Sequence, residues 1–309
     1  MPLPPAHLAR RVGINDPGDP LRSFEELGRS SREMILDLLP PGWTFAGKRV
    51  LDFGCGPGKV LRYFLAEAAD GTFYGCDIDA PSIEWLERHL SPPLEVFVNE
   101  ERPPLPFEDD RLDLVWAMSV FTHIVDAWSD WLVELRRILN PGGLLIASFL
   151  GRGVCEQLTG EPWVEDNFGM NVFGYGQPWD EGGPNVLLSP WWIRAHWGRA
   201  FDIVDLRDSG SGHGFVVLRK PASGPAPSPR DLERPEAGER REVLALQHDV
   251  EQLRREVRAL RSAPAEQHSN EPWDRDRATA GRSPANAKIL RVLRSARFER
   301  LSARYLRRT

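Results

Sequence analysis

The sequence predicts an α/β protein: a doubly wound, mostly parallel seven-stranded sheet, closed by a C-terminal antiparallel hairpin and followed by an α-helical, coiled-coil tail. Three observations predict it. Short continuous apolar runs alternate with amphipathic stretches up to residue 220, as expected for parallel strands covered on both faces. The last two apolar runs, 201–206 and 214–218, lie too close together for a helical crossover and must form a hairpin. Residues 221–229 read PASGPAPSP, a run that cannot bury enough apolar surface to offset its ordering entropy.

Residues 1–47 precede the first strand and are expected to form a helical cap, with its helix over 23–39. The main domain spans 48–220. Its strands are expected at 49–54, 72–77, 94–98, 112–118 and 144–149, and its helices at 59–68, 81–89 and 127–139. The stretch 151–190 between the fifth strand and the next helix is far longer than an ordinary connection and reads as a lid or substrate insertion. A Pro-rich linker (221–237), a coiled-coil helix (238–262), a polar disordered linker (263–285) and a basic amphipathic helix (286–309) are expected to follow.

The net charge of −6, from 39 basic and 45 acidic residues, divides unevenly. Residues 221–309 hold 19 basic against 13 acidic residues, a net +6, so residues 1–220 carry −12. An acidic main domain lacks the basic footprint that phosphate contacts need, which argues against a nucleic-acid substrate. No apolar run approaches the length of a membrane span, and the first residues lack the apolar core of a secretory signal. The three cysteines include no CxxC and no Cys/His cluster, so neither a disulfide framework nor a metal site is expected. These features predict a cytoplasmic protein.

The chemistry begins at residues 50–58, Val-Leu-Asp-Phe-Gly-Cys-Gly-Pro-Gly, which follow a strand and open a helical stretch. Glycines here allow a tight turn and bring backbone amides close to a ligand. Lys59 stands where a dinucleotide GxGxxG loop needs its third glycine, and no Gly-Lys-Ser/Thr closes a P-loop. Candidate cofactor residues in this loop are Asp52, Gly54, Cys55, Gly56 and Gly58. Asp77, at the tip of the second strand, can accept hydrogen bonds from both ribose hydroxyls, whereas Asp79 fits a helix cap. Ile78, next to Asp77, joins the same set. The third strand ends at Asn99 and Glu100, where Asn99 can meet an adenine edge. Met118 ends the fourth strand in the crevice where open α/β sheets bind ligands.

Taken together, these residues resemble the class I S-adenosylmethionine-dependent methyltransferase family, near its bacterial glycan-biosynthesis members. The resemblance rests on the VLDFGCGPG loop, on Asp77, on residues 105–115 (LPFEDDRLDLV) and on residues 135–143 (LRRILNPGG). The Ser119-Val120-Phe121-Thr122-His123 segment carries the closer likeness. Asn99 departs from it, since many members have Asp there. The resemblance implies a Rossmann-like fold, S-adenosylmethionine as cofactor, and methyl transfer to a hydroxyl of a glycan, glycolipid or small metabolite. Alignment and water exclusion then supply most of the catalysis. A hydroxyl acceptor also calls for a general base, and His123 is the candidate, with a packing or capping role near 127–139 as the other reading. On the acceptor side, aromatic faces at Trp163, Tyr175 and Trp179 stack on an acceptor or fill a secondary core. His213 faces the same crevice or an exposed loop, and His196 is expected in the core. A non-catalytic cofactor-binding scaffold is the competing reading; an NAD-dependent oxidoreductase lacks its glycine pattern.

In the tail, Val243, Leu246, Val250, Leu253, Val257 and Leu260 alternate spacings of three and four. Val at a and Leu at d favour a parallel two-stranded coil, with Asp249 and Glu256 facing Arg254 and Arg261 across the dimer. Either a parallel homodimer through 243–260 or a lone solvated helix fits. Residues 286–309 hold eight basic residues and one acid among regularly spaced apolar positions. That pattern suits peripheral contact with the anionic inner face of a membrane, or docking to a protein.

Overall fold

The computed structural model describes residues 1–13, 16–179 and 182–262. Among these, a seven-stranded sheet is built from β1 (Arg49–Phe53), β2 (Thr72–Asp77), β3 (Glu95–Val98), β4 (Leu112–Ala117), β5 (Leu139–Phe149), β8 (Asp202–Arg207) and β9 (Gly214–Arg219). The spatial order is β3-β2-β1-β4-β5-β9-β8. The first five strands pair in parallel, and β9 returns antiparallel between β5 and β8. The predicted doubly wound sheet with its C-terminal hairpin is therefore the fold. The order reverses between β1 and β4, which opens a crevice at their carboxyl ends.

β4 shows why these strands read as unbroken apolar runs. Leu114 and Trp116 pack into the core on one face of the sheet, while Val115 and Ala117 pack into the core on the other. One face is covered by α2 (Pro20–Leu38) and α3 (Ala80–His89), the other by α4 (Trp128–Ile138) and α6 (Pro190–His196). α2 starts at Pro20, earlier than expected, because the Asp19 side chain accepts from Arg22 N and proline suits the first helical turn.

Three expectations are corrected. The helix predicted over 59–68 is instead two 3₁₀ turns, Leu61–Phe64 and Glu67–Ala69. The Tyr63 carbonyl is taken by Arg32 Nε at 3.0 Å, and α2 presses so close that a Cβ on Gly28 would sit 2.1 Å from the Lys59 carbonyl. The insertion is not a bare lid. It holds α5 (Arg152–Thr159) and a two-stranded sheet of β6 (Met170–Phe173) and β7 (Asn185–Leu188). The 221–237 segment is not a free linker either. Ser228 and Asp231 form a capping box for α7 (Pro229–Glu233), Leu232 is fully buried, and the Leu232 carbonyl meets His196 Nδ1 at 2.6 Å.

The tail helix forms as α8 (Arg241–Ser262), but it packs on its own chain. Leu253 is buried, with Tyr175, Leu246 and Val257 around it. Asp249, expected at a dimer flank, is buried, and its Oδ1 accepts from Val172 N of β6 at 3.3 Å. A dimer through this seam would have to release α8 from the insertion. Leu253→Ala is expected to lower unfolding free energy by about 2 kcal/mol or more, measured by denaturant titration; a helix standing free of the domain would respond by less than about 0.5 kcal/mol. Residues 263–285 and 286–309, with the predicted disordered linker and basic helix, lie outside the described residues. No described helix is long and apolar enough to cross a membrane.

Candidate functional site

The crevice is a cleft of about 1120 Å³, above the ~300–1,000 Å³ of ordinary small-molecule pockets. It has room for two ligands side by side. Its floor is the glycine loop after β1. Gly54 has φ +78°, and a Cβ there would lie 2.3 Å from Val120 Cγ2. Gly58 has φ +77°, and a Cβ there would lie 2.6 Å from Leu86 Cδ2 of α3. Gly54 thus keeps the loop flat beneath the cleft, and Gly58 lets it pack on α3. Gly54 N and Cys55 N both donate to the Cys76 carbonyl, at 2.8 and 3.0 Å.

Asp77 ends β2 beside this loop. Its Oδ2 accepts from Gly56 N at 2.7 Å and its Oδ1 from Asp79 N at 2.9 Å. Burial raises the carboxyl above its ordinary range, and the two amides pull it back. Asp52 is deeper, 2% exposed, and burial pushes it up to about 7. Its Oδ2 is buried without a hydrogen-bond partner. The Cys55 thiol is raised by burial. Asn99 donates from Nδ2 to the Glu100 carbonyl at 2.8 Å, while its Oδ1 is buried with no partner. Ile78, Glu100 and Met118 line the same half of the cleft. Gly56 and Gly58, expected in the same set, are not among the residues that line the cleft. Asp79 occupies the cap position of α3, but its side chain takes the Ser82 hydroxyl at 2.5 Å and Arg11 at 2.6 Å.

These groups fit a nucleoside cofactor. A carboxylate faces the cleft for a diol, and an orphaned amide oxygen suits an exocyclic amine. Sequence reasoning passed over Lys59, reading it only as a departure from another motif. It lines the cleft, and its Nζ donates to the Val12 carbonyl. Burial lowers its ammonium to about 8, against the opposing pull of Asp52.

The other half of the cleft is built by the segment after β4 and by the insertion. Ser119 holds φ +62°, a region uncommon for residues other than glycine and concentrated at functional sites; its N–H donates to Ser148 Oγ at 2.7 Å. Thr122 Oγ1 is buried on the cleft wall without a partner. His123 opens onto the cleft, and its Nδ1 lies 2.8 Å from the Pro184 carbonyl. A carbonyl only accepts, so Nδ1 carries the proton and the neutral ring keeps its lone pair on Nε2. The crowded cleft lowers His123 below 6.5. His213, from the β8–β9 turn, also lines the cleft; burial, Lys59 and His123 lower it to about 4.

The three aromatic candidates separate. Trp179 stands on the cleft, 44% exposed. Trp163 does not reach it: the ring stacks on Phe168 at 4.6 Å and Nε1 donates to Glu165. Tyr175 sits under α8 and does not line the cleft; its hydroxyl donates at 2.7 Å to Oδ2 of Asp126, which does. Both were expected on the acceptor side; packing within the insertion takes them instead. His196 is buried, stacked on Trp192 at 4.3 Å, and its Nε2 meets Glu242 at 2.9 Å.

With this geometry in hand, comparison with known proteins is informative. Residues 51–147 match the family model described as a methyltransferase domain. The chain is similar to a fatty-acid O-methyltransferase of Mycolicibacterium smegmatis, 32% identical over 42% of this chain and 46% of that protein. It is also similar to a phthiotriol/phenolphthiotriol dimycocerosates methyltransferase of Mycobacterium ulcerans, 33% identical over 33% of this chain and 37% of that protein. The chain thus spans half or less of the length of these curated relatives. Among solved structures, the glycopeptide N-methyltransferase MtfA is 17% identical, with a TM-score of 0.47, over 63% of this chain and 90% of that one. The matched stretch coincides with the strands that build the glycine loop, Asp77 and the His123 segment, so residues 51–147 are similar to a methyltransferase domain.

Proposed function

We propose that this protein transfers the methyl group of S-adenosylmethionine to a hydroxyl of a glycan or small polyhydroxylated metabolite, with His123 as general base. The observation that carries this reading is the 2.8 Å contact between His123 Nδ1 and the Pro184 carbonyl. It holds the imidazole in the tautomer whose Nε2 can take a proton. The cofactor supplies an already activated methyl group. Asp77 then holds the ribose, Asn99 Oδ1 accepts from the adenine amine, and Lys59 faces the methionyl carboxylate. On the acceptor side, Trp179 offers a ring face, and Gln157 and Asn185 offer amides to hydroxyl groups. The enclosing insertion keeps water from the reacting atoms. A lipid hydroxyl or fatty-acyl carboxyl is the second reading, favoured by the relatives named for fatty acids and dimycocerosates.

The test is transfer of labelled methyl from S-adenosylmethionine into fractionated envelope glycan, lipid and small-metabolite pools. Label in the glycan or polar metabolite pool supports the first reading, and label confined to lipid supports the second. Donor binding without any labelled product would favour a scaffold. The Lys59 role has its own measurement. Lys59→Met is expected to weaken S-adenosylhomocysteine by about 10- to 100-fold, the loss of one charge-assisted hydrogen bond. Binding of 5′-methylthioadenosine, which lacks the carboxylate, should be unchanged by calorimetry. Equal losses for both ligands would refute the assignment.

A further inference from the structure

The N-terminal segment joins the two halves of the cleft through one side chain. α1 (Ala6–Arg11) ends with Arg11 at the cleft mouth. Arg11 Nη1 donates to Asp79 Oδ1 at 2.6 Å, and the carboxylate side chain it meets is only 5% exposed. The guanidinium carbon lies 6.0 Å from the centre of the Trp179 ring, within cation–π range. Asp79 is not an isolated anchor. Its N–H donates to Asp77 Oδ1, so the turn after β2 holds the ribose carboxylate and the Arg11 partner as one unit. The next residue extends the cover: a Cβ on Gly56 would lie 2.2 Å from Val12 Cγ1, and the Val12 carbonyl accepts from Lys59 Nζ.

We infer that Arg11 is a positioning residue that couples occupancy of the donor site to the placement of Trp179 on the acceptor wall. The inference rests on the donor reading above. Donor hydroxyls on Asp77 tighten the 77–79 turn, and that turn carries Asp79, Arg11 and, through the guanidinium, the indole of Trp179. An acceptor stacked on Trp179 then meets a wall that is set only when the donor is in place. Arg11 makes this link through one guanidinium, which reaches Asp79 on the β2–α3 turn and Trp179 in the insertion.

The experiment uses the full chain and S-adenosylhomocysteine as the probe. Dissociation is followed by stopped flow, and the tryptophan fluorescence change on binding is assigned to Trp179 by its loss in Trp179→Phe. Arg11→Ala should release the ligand about tenfold faster, as expected for one charge-assisted contact, and should abolish the Trp179 component. Asp79→Asn should reproduce both effects. The double variant should be no worse than either single, as for two residues acting through one contact. A wild-type dissociation rate in Arg11→Ala, a retained Trp179 signal, or additive losses in the double variant would each overturn the coupling. Failure of the unmodified protein to bind S-adenosylhomocysteine would instead overturn the donor reading itself.

Discussion

Replacing His123 with alanine is expected to lower kcat by about 10²- to 10⁴-fold, the usual contribution of a positioned general base, while S-adenosylhomocysteine binds as before. The reason is geometric. The Pro184 carbonyl holds the Nδ1 proton, so the ring offers Nε2 to an acceptor hydroxyl without first changing tautomer. The same variant tests the pH profile. A general base works deprotonated, so the rate falls as pH drops through its pKa. The cleft lowers His123 from 6.5, which places the acid limb below pH 6.5, and His123→Ala should remove that limb. His213, lowered to about 4, contributes no limb near neutrality. If kcat in His123→Ala fell less than about threefold, alignment and desolvation would account for the reaction without a base.

Asp77→Ala is expected to weaken S-adenosylhomocysteine by about 10²- to 10³-fold, since each hydrogen bond to a charged group contributes about 1.5–3 kcal/mol. The carboxylate is doubly used. In the proposed site it takes the ribose hydroxyls, and it already accepts from Gly56 N and Asp79 N. Removing it therefore loosens the glycine loop as well as the diol contact. The sign of the pH dependence follows from the raised pKa. In the proposed site the charged form binds the diol, and burial makes that form titrate above 3.8, so affinity should decline as pH falls, starting earlier than for an exposed aspartate. Calorimetry across the acid range measures both effects. Asp77→Ala binding S-adenosylhomocysteine as tightly as the unmodified chain would remove Asp77 from the donor site.

Much of this site was legible along the chain. The VLDFGCGPG loop, Asp77, Asn99 and Met118 each sit at or just past a strand end, and a parallel sheet brings such ends to one edge. Lys59 was visible only as the residue that broke another family's motif; its value comes from burial beside Val12, which no spacing reveals. Trp163 and Tyr175 carried the same aromatic signal as Trp179. One stacks on Phe168, one lies beneath α8, and one faces the cleft. Composition cannot separate these outcomes, because the aromatic signal is the same whether the ring is packed away or, as for Trp179, left 44% exposed on the cleft.

The sequence by itself determined the succession of strands along the chain, the hairpin, the acidic region with its net-basic tail, and the likeness to methyltransferases. These are properties of local periodicity and of short motifs whose backbone needs are met within a few residues. Tertiary structure alone decided that α8 packs on its own insertion, that α7 is clipped to His196, and that Arg11 bridges Asp79 and Trp179. It also decided which nitrogen of His123 meets the Pro184 carbonyl. Each of these depends on which surface a segment meets far away in the chain. The heptad seam of α8 shows why: its apolar stripe suits a second helix, but here Leu253 is buried against Tyr175, and only the packed fold chooses between them.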